Sequence, residues 1–492
     1  MSRQIPRLFV TLLAVVLIGC TAAQLPPPAT PTPVGQLKPA PTTAAPPGSL
    51  AASPSPIPNI GPGSRPTSVP SASHSPAAGG TVSPSPTASP SPMASPSPTT
   101  SPSPSFPLPA PSPSATPAQL AVQLSDPLQA AIEHQLALRR IPGLAAVVIF
   151  PDGSRWSGVA GEAAVNQHVP VTHETGFVVG SITKTFVTAL VLQLAEEGVV
   201  DLDRPLRRWL PDYPRAGRIT LRHLLSHTSG VFNYFEHPLY ESRVFGQPRR
   251  LWTPDEILSE FEREPYFAPG SGFHYSNTGF VLLGMVVEQA TGSSLGIELE
   301  RRFFRPLGLD DTHFQGEGPP PGATATGYLR TSAGHREISD GSDYRPTRSA
   351  ASVAWAAGGI VATAEDIATW ASALYGGQLL EPNSQTELTD YAYSPYARGT
   401  YALGTRTRVL DGARMFGHTG SLRGYMAAMW HFPAEELTVV VLTNVGRIDG
   451  NRVADSLATV ALPALRSGVS TPPPASPSIP PTGPSEGERY GP

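Results

Sequence analysis

Apolar residues recur with helical spacing in several segments of the chain. In residues 181–197, SITKTFVTALVLQLAEE, they stand at positions 182, 186, 187, 190, 191 and 194. This spacing lines one face of an α-helix, and the glycine that follows at position 198 is typical of a helix end. Similar patterns predict further helices at 126–140, 253–263, 280–292, 364–376 and 450–465.

Strand patterns occur early and late in the chain. LAAVVIF, PDG and SRWSGVAG at 144–161 predict a hairpin with Asp-Gly in its turn. GYMAAMWHF and LTVVVLTN at 424–444 predict a second pair of strands, joined by PAEE. If these distant strands pair, the fold is α+β: an antiparallel sheet built from both chain ends, flanked by helices, with an inserted and mostly helical lobe. A cleft between the two lobes would be the natural ligand site.

Composition limits the folded part of the chain. Residues 21–118 contain 29 prolines, one lysine, one arginine and no acidic residue, and such a segment buries too little apolar surface to offset its ordering entropy. We therefore expect a Pro/Ser/Thr-rich disordered linker at 20–118, a folded domain at 119–466 and a disordered, Pro-rich tail at 467–492.

The first residues have the pattern of an export signal. Arg3 and Arg7 precede LFVTLLAVVLI at 8–18, an apolar run that is too short for a membrane span. Cys20, the only cysteine, follows directly in LIGC, which resembles a bacterial lipoprotein signal; an ordinary signal peptide with an incidental cysteine is the alternative. We expect residues 1–19 to be removed, and Cys20 to anchor a cell-surface lipoprotein at the outer face of the plasma membrane or in the cell wall.

Charge and spacing argue against several other functions. The formal net charge is −4, and the folded part has no basic run, so nucleic-acid binding is not expected. His223 and His227 have the spacing of zinc ligands on a helix, but neither an intervening glutamate nor a third ligand stands out. We expect neither a metal nor another cofactor.

Lysine usage identifies one residue for proton transfer. The chain has two lysines, Lys38 and Lys184, and its other basic side chains are arginines. A guanidinium does not lose its proton in a protein, whereas burial lowers the pKa of an ammonium by several units. Lys184 is therefore a candidate for a proton-transfer residue; codon bias with one leftover lysine is the alternative.

Ser181 stands three residues before Lys184, at the start of the predicted helix. Side chains at i and i+3 share one helix face, so the amine would lie within reach of the hydroxyl that it must activate. The helix N-terminus would also favour negative charge on the serine oxygen. A lone S-x-x-K pattern nevertheless recurs by chance in most proteins of this length.

Two further motifs make the pattern specific. Tyr275-Ser276-Asn277 follows Ser181 by 94 residues, and His418-Thr419-Gly420 follows Tyr275 by 143 residues. Together with S-x-x-K, they resemble the serine β-lactamase and penicillin-binding protein family. The closest resemblance is to the branch of D-alanyl-D-alanine carboxypeptidases, class C-type β-lactamases and related esterases, and it covers nearly all of residues 119–466.

The resemblance implies roles for individual residues. Ser181 would be the acylated nucleophile, Lys184 its proton partner and Tyr275 the general base or acid. The backbone N–H groups of Ser181 and Ser421 would form the oxyanion hole, and the Asn277 amide would hold Lys184 and the acyl side of the substrate. The substrate-binding residues implied are Asn277, His418, Thr419, Gly420 and Ser421.

Substrate choice is less well determined by the sequence. His418 replaces a lysine found in many β-lactamases, which favours the carboxypeptidase and esterase side, and it would titrate near neutrality. The preferred hypothesis is an exported D-alanyl-D-alanine carboxypeptidase-like peptidase of peptidoglycan. A β-lactamase or small-ester hydrolase of the same fold is the alternative, and a non-catalytic wall-binding or sensor lipoprotein is the alternative of another class.

Four residues near the motifs have two interpretations each. Arg406 and Arg408 would either receive a substrate carboxylate or lie on a solvated strand edge. Trp355 and Phe416 would either line the cleft or pack in the core.

Overall fold

The computed structural model describes residues 118–390, 392, 397 and 400–468. The predicted signal peptide, Cys20, the linker up to residue 117 and the tail beyond residue 468 lie outside the described residues.

Helices and strands alternate along the described chain. The helices are α1 (Ala118–Gln123), α2 (Ser125–Arg139), α3 (Thr183–Glu196), α4 (Leu221–Leu225), α5 (Tyr240–Val244), α6 (Pro254–Phe261), α7 (Asn277–Thr291), α8 (Leu295–Leu299), α9 (Arg305–Leu307), α10 (Arg348–Gly358), α11 (Ala364–Tyr375), α12 (Pro382–Thr389) and α13 (Gly450–Gly468). The strands are β1 (Gly143–Ile149), β2 (Arg155–Ala164), β3 (Val169–Pro170), β4 (Phe177–Val178), β5 (His313–Phe314), β6 (Gly327–Thr331), β7 (Gly334–Ile338), β8 (Ile360–Ala362), β9 (Arg406–Leu410), β10 (Ala413–Leu422), β11 (Tyr425–Phe432) and β12 (Leu437–Thr443).

The main sheet joins the two ends of the domain, as predicted. Its seven strands lie in the order β3-β2-β1-β12-β11-β10-β9. β1 pairs antiparallel with β12, with Leu144 opposite Thr443 and Ile149 opposite Thr438. The expected α+β architecture, with a large antiparallel sheet from both ends of the domain and helices around it, is therefore confirmed.

Helices cover both faces of this sheet. Leu144, Ala146 and Val148 of β1 belong to the core that includes side chains of α2 and α13. The alternate residues Ala145 and Val147 belong to the larger core, which includes side chains of α3, α7 and α11. Because neither face meets water, β1 and β12 are buried throughout, which explains why their sequences are continuous apolar runs.

The helical region between β4 and β9 packs on the second face and carries the first two motifs. The helix predicted from residue 181 begins with a tight 3₁₀ turn at Gly180–Ile182, and α3 follows from Thr183. The helix predicted from residue 280 begins earlier, at Asn277. Ser181 and Asn277 therefore both lie at helix starts, where backbone N–H groups lack intrahelical acceptors.

Within the described ranges, no single helix has the length and hydropathy of a membrane span. α7 together with Leu295–Leu307 passes that test only as a pair, across a bend of 81°.

Candidate active site

Ser181 and Lys184 lie in contact at the start of α3. Ser181 Oγ and Lys184 Nζ are 3.0 Å apart, and Nζ lies 2.6 Å from the carbonyl oxygen of Ala357. The sequence spacing predicts the first contact, since i and i+3 share a face. The second comes from α10, 173 residues further along the chain. The amine is thus held between a hydroxyl and a backbone acceptor.

Burial makes Lys184 a weaker base than an exposed lysine. Its side chain is fully buried, with the aromatic rings of Tyr275 and Phe280 at 5.1 and 5.5 Å from Nζ. Desolvation first, and then the positive charge of Arg406, lower the pKa of Lys184 well below its ordinary value. Because both causes disfavour the ammonium form, this geometry favours the neutral amine that proton transfer from a serine needs.

α10 is kinked at Trp355, two residues before Ala357, whose carbonyl oxygen accepts from Lys184 Nζ. Trp355 has φ 33° and ψ −123° inside this helix, a backbone conformation that costs energy for a residue with a side chain. Its ring packs against α7, where a Cβ added to Gly284 would lie 2.7 Å from a ring carbon. Trp355 is buried and therefore belongs to the core, which resolves the two interpretations of this residue.

Tyr275 and Asn277 enter the site from the start of α7. The centre of the Tyr275 ring lies 5.1 Å from Lys184 Nζ. Asn277, however, directs its side-chain amide to Asn233, whose Oδ1 accepts from both Nδ2 and the backbone N–H of Asn277 at 3.1 Å. The expected contact of this amide with Lys184 is replaced by the contacts of Nζ with Ser181 and Ala357.

The third motif lies on β10, directly against the turn that carries Ser181. A Cβ added to Gly420 would lie 1.7 Å from Val179 O and 3.2 Å from the backbone nitrogen of Ser181. Gly180 has φ +53°, and its Cβ position would be 2.7 Å from the backbone nitrogen of Ser421. Only glycine fits these two positions, and their approach places the backbone nitrogens of Ser181 and Ser421 near one another.

His418 does not have the expected near-neutral pKa. It is buried on β10, with Nε2 3.2 Å from the Tyr401 hydroxyl and Nδ1 in contact with the Thr419 carbonyl oxygen. Burial, followed by the charges of Arg406 and Lys184, lowers the pKa of His418 well below its ordinary value. The expectation from sequence took the pKa of an exposed imidazole and is wrong for this buried one. Thr419 is half-buried, and Ser421 is exposed.

The two arginines of β9 have different surroundings. Arg406 is paired with Gly417 of β10 in the sheet register, and its guanidinium lies 5.5 Å from the Tyr275 ring and 5.7 Å from the Tyr401 ring. Arg408 makes a two-pronged ion pair with Asp455 of α13 at 2.9 and 3.0 Å. Arg406 is therefore the arginine near the cleft, and Arg408 ties β9 to a helix behind the sheet.

Other singled-out residues have structural contacts. Phe416 is partly buried and packs against the larger core. Thr220 and His223 cap α4 reciprocally, with His223 Nδ1 accepting from the Thr220 N–H, while His227 contacts Tyr401 instead. Among residues 118–390 and 400–468, no group of three His, Cys, Asp or Glu side chains is arranged to hold a metal ion.

Three residues that the sequence interpretation did not assign to the site belong to its surroundings. Asn233 orients Asn277, and His227 and Tyr401 contact each other at 3.0 Å, with Tyr401 also contacting His418. These contacts join positions 44 and 174 residues apart, which no local pattern reveals.

Known proteins resemble this domain in sequence and in fold. The sequence profile of the Beta-lactamase family matches residues 128–462. Penicillin-binding protein 4* of Bacillus subtilis (strain 168) is 32% identical over 157 residues, which are 31% of this chain and 33% of that protein. Esterase EstB of Burkholderia gladioli is 33% identical over 211 residues, 40% of this chain and 54% of that protein.

A solved structure extends the similarity over the whole domain. A D-stereospecific amidohydrolase from Streptomyces sp. superposes with a TM-score of 0.58 at 30% identity, covering 70% of this chain and 99% of that one. The chain spans only a third to about half of the two curated relatives' own lengths. The family match, by contrast, takes in all three motifs. The chain therefore belongs to the Beta-lactamase family, and it is a serine hydrolase of that family.

Proposed function

We propose that the protein is an exported D-alanyl-D-alanine carboxypeptidase-like peptidase of peptidoglycan, acting through an acyl-enzyme on Ser181. Ser181, Lys184 and Tyr275 are the proposed catalytic residues, and the N–H groups of Ser181 and Ser421 the proposed oxyanion donors. The observation that carries the choice of substrate is the position of Arg406 beside Tyr275 and one strand away from Gly417.

Arg406 supports a substrate that ends in a carboxylate. A guanidinium is permanently charged and matches a carboxylate geometrically, with two parallel hydrogen bonds. In a C-terminal D-alanine, the carboxylate stands one Cα away from the amide that Ser181 would attack. A cation at the β9–β10 edge of the sheet is therefore suited to receive it, with the Thr419 hydroxyl on the neighbouring strand β10.

Acylation would proceed without a net change of charge in the enzyme. Neutral Lys184 accepts the Ser181 Oγ proton as Oγ attacks the carbonyl carbon, and the oxyanion that forms is stabilised by the two N–H groups. Tyr275 then delivers a proton to the leaving amine nitrogen as the C–N bond breaks, and it recovers one from Lys184. D-Alanine leaves, and the acyl group stays on Ser181 as an ester.

Deacylation would reverse this proton path with water. Tyr275 passes its proton to neutral Lys184 and takes one from the attacking water. The C–O bond to Ser181 then breaks as Oγ regains a proton from the Lys184 ammonium, so that Tyr275 and Lys184 end as they began. The permanent charge of Arg406 near Lys184 supports this scheme, because it lowers the pKa of Lys184 and so favours the neutral amine that must accept a proton at the start of each half-reaction.

A pair of substrates and a pair of variants test the carboxylate assignment. The substrates are a peptide that ends in D-alanyl-D-alanine and the same peptide with a C-terminal amide. We expect Arg406→Ala to lower kcat/KM for the free acid about 10- to 100-fold more than for the amide, since hydrogen bonds to charged groups contribute about 1.5–3 kcal/mol. Arg408→Ala is the matched control and should leave the ratio between the substrates unchanged.

The ratio separates recognition from catalysis. Removing Arg406 also removes a charge that lowers the pKa of Lys184, but that effect acts equally on both peptides. Equal losses for acid and amide would therefore refute carboxylate recognition by Arg406. Intact-mass spectrometry of the Ser181→Ala variant after exposure to acyl donors then checks the nucleophile, since an adduct that persists would exclude Ser181.

Hydrolysis of small esters is the second proposed function. It is favoured by the similarity to esterase EstB, and the acylation steps would be the same. Turnover of p-nitrophenyl acetate, together with no release of D-alanine from either peptide, would select this function over the first.

A further inference from the structure

Three buried side chains form a hydrogen-bonded row beside Tyr275, and none of them has a role in the proton path above. His227 follows α4, Tyr401 precedes β9, and His418 lies on β10. His227 Nε2 is 3.0 Å from the Tyr401 hydroxyl, which is 3.2 Å from His418 Nε2. All three residues are at most 1% exposed. We call this set the His–Tyr–His row.

Backbone groups determine the direction of every bond in the row. At one end, the Ser276 N–H donates to His227 Nδ1 at 3.1 Å. Since Nδ1 accepts, a neutral His227 carries its proton on Nε2 and donates it to the Tyr401 oxygen. At the other end, the Thr419 carbonyl only accepts, so His418 Nδ1 carries a proton and its Nε2 is an acceptor. The Tyr401 O–H therefore donates to His418.

With the bonds in this direction, each donor has one acceptor and both imidazole rings are uncharged. A proton added to His227 Nδ1 would face the Ser276 N–H, and one added to His418 Nε2 would face the Tyr401 O–H. Buried polar groups that lose their partner are costly, so both ends resist a change of tautomer. Desolvation also favours the uncharged rings, because it lowers the pKa of both His227 and His418.

The row joins two parts of the site that the chain places far apart. Ser276 directly follows Tyr275, and the His227 and Tyr275 rings are 4.2 Å apart at their centres. Thr419 lies two residues before Ser421 on β10. The row thus spans from the loop of the proposed general acid to the strand of a proposed oxyanion donor. His227 itself has φ 56°, so a strained backbone conformation is maintained where the row begins.

We propose that His227, Tyr401 and His418 are positioning residues that set the separation of Tyr275 from the Ser421 N–H during acylation. The proposal rests on the proposed roles of Ser181, Tyr275 and Ser421. Reacting groups must be held close to their productive geometry, and a misplacement of about 1 Å can cost 10²-fold in rate. A row with one allowed direction achieves this, because neither imidazole can flip without losing a bond.

Tyr401→Phe is the first test, since it removes both hydroxyl bonds and keeps the ring. The readout is the burst of p-nitrophenol from p-nitrophenyl acetate, with kcat and KM measured separately. We expect the acylation rate and kcat to fall about 10- to 100-fold and KM to change less than about threefold. Wild-type kcat together with a lower melting temperature would mean a purely structural role and would overturn the proposal.

His227 offers a matched pair of variants. A glutamine accepts with its oxygen and donates with its nitrogen, as His227 does, whereas a methionine of similar length donates nothing and accepts only weakly. We expect His227→Gln to recover most of the acylation rate and His227→Met to lose as much as Tyr401→Phe. Equal rates for the two variants would contradict a directional row.

The tautomers give a readout that does not depend on activity. Two-bond ¹H–¹⁵N correlation spectra, assigned with His227→Gln and His418→Gln, should show a proton on Nε2 of His227 and on Nδ1 of His418 between pH 6 and 8. The opposite tautomer at either position would overturn the proposal. Ser181→Ala distinguishes failure of the proposed function from failure of the His–Tyr–His row. A burst that survives this change refutes the proposed function, whereas wild-type kinetics of Tyr401→Phe refute only the role of the row.

Discussion

At the scale of single residues, the feature with the widest consequences is the buried amine of Lys184. Its pKa is lowered by desolvation and by Arg406, so the folded protein holds this group neutral over a range where the unfolded chain holds it protonated. Between its folded-state pKa and its ordinary value of 10.5, unfolding takes up a proton. This group therefore makes the free energy of unfolding rise with pH in that window.

The predicted result concerns Lys184→Met, which replaces the amine by an apolar side chain of similar length. The melting temperature of this variant relative to wild type should be highest near pH 6 and should fall as the pH rises towards 9. The reason is that only wild type becomes more stable as Lys184 loses its proton. Acylation should fall roughly 10²- to 10⁴-fold, the usual contribution of general acid–base catalysis. Thermal melts across this pH range, with burst kinetics at one pH, measure both effects.

Ser181→Ala is the control for this prediction. It should also abolish acylation, but it keeps Lys184 and so should keep the pH dependence of wild type. A difference between Lys184→Met and wild type that is constant from pH 6 to 9 would mean that Lys184 folds with its charge.

The sequence predicts contacts between residues that are close along the chain well, and contacts between distant residues poorly. The contact between Ser181 and Lys184 follows from their spacing on one helix face. Asn277 and its acceptor Asn233 are 44 residues apart, so the direction of that amide depends on how two loops meet. The low pKa of His418 depends likewise on burial, which the motif alone does not encode.

At the scale of elements, the approach of β10 to the Gly180–Ile182 turn determines whether the N–H groups of Ser181 and Ser421 can both donate to the oxyanion of the substrate. The position of Gly420 leaves no room for a side chain, since a Cβ there would lie 1.7 Å from Val179 O. Any larger residue must push the strand and the turn apart.

Gly420→Ala should therefore impair acylation more than folding. Displacing one oxyanion donor typically costs about 10²–10³ in rate, and we expect a loss of that order in the burst of p-nitrophenol. Gly322→Ala is the matched control, because a Cβ at that exposed position meets nothing within 4 Å. Comparable rates in the two variants would show that β10 and the turn tolerate separation.

Element boundaries show why periodicity is an incomplete guide. The apolar stripe of α3 is correctly predicted, but the 3₁₀ turn before it is not, because its tight geometry is set by contact with β10. The kink at Trp355 likewise has no local signal: the sequence RSAASVAWAAG favours a regular helix, and packing against Gly284 holds the strained conformation.

At the scale of the whole molecule, we propose that the lipid anchor at Cys20 and the linker at 20–118 place the domain away from the membrane. A fully extended polyproline chain of that length would reach on the order of 300 Å, at about 3.1 Å per residue. Such a reach would suit a peptidase whose substrate is part of a cell wall.

Deleting residues 21–118 while keeping Cys20 tests this proposal. We expect kcat/KM on a soluble D-alanyl-D-alanine peptide to stay unchanged and the release of D-alanine from the walls of intact cells to fall. The full-length Cys20→Ala variant is the control for anchoring. Unchanged release from intact cells after the deletion would contradict a spacing role.

Because β1 pairs with β12, the main sheet can form in full only after almost the whole domain has been synthesised. The Gly143 N–H donates to Asn444 Oδ1 across 301 positions of the chain, and β12 separates β1 from β11 in the main sheet. While the chain is being made from its N-terminus, one edge of the hairpin β1–β2 therefore stays unpaired until β12, the last strand of the described chain, has been made. Strand pairing over such a separation is slow, so the main sheet is completed only when synthesis of the domain is almost finished.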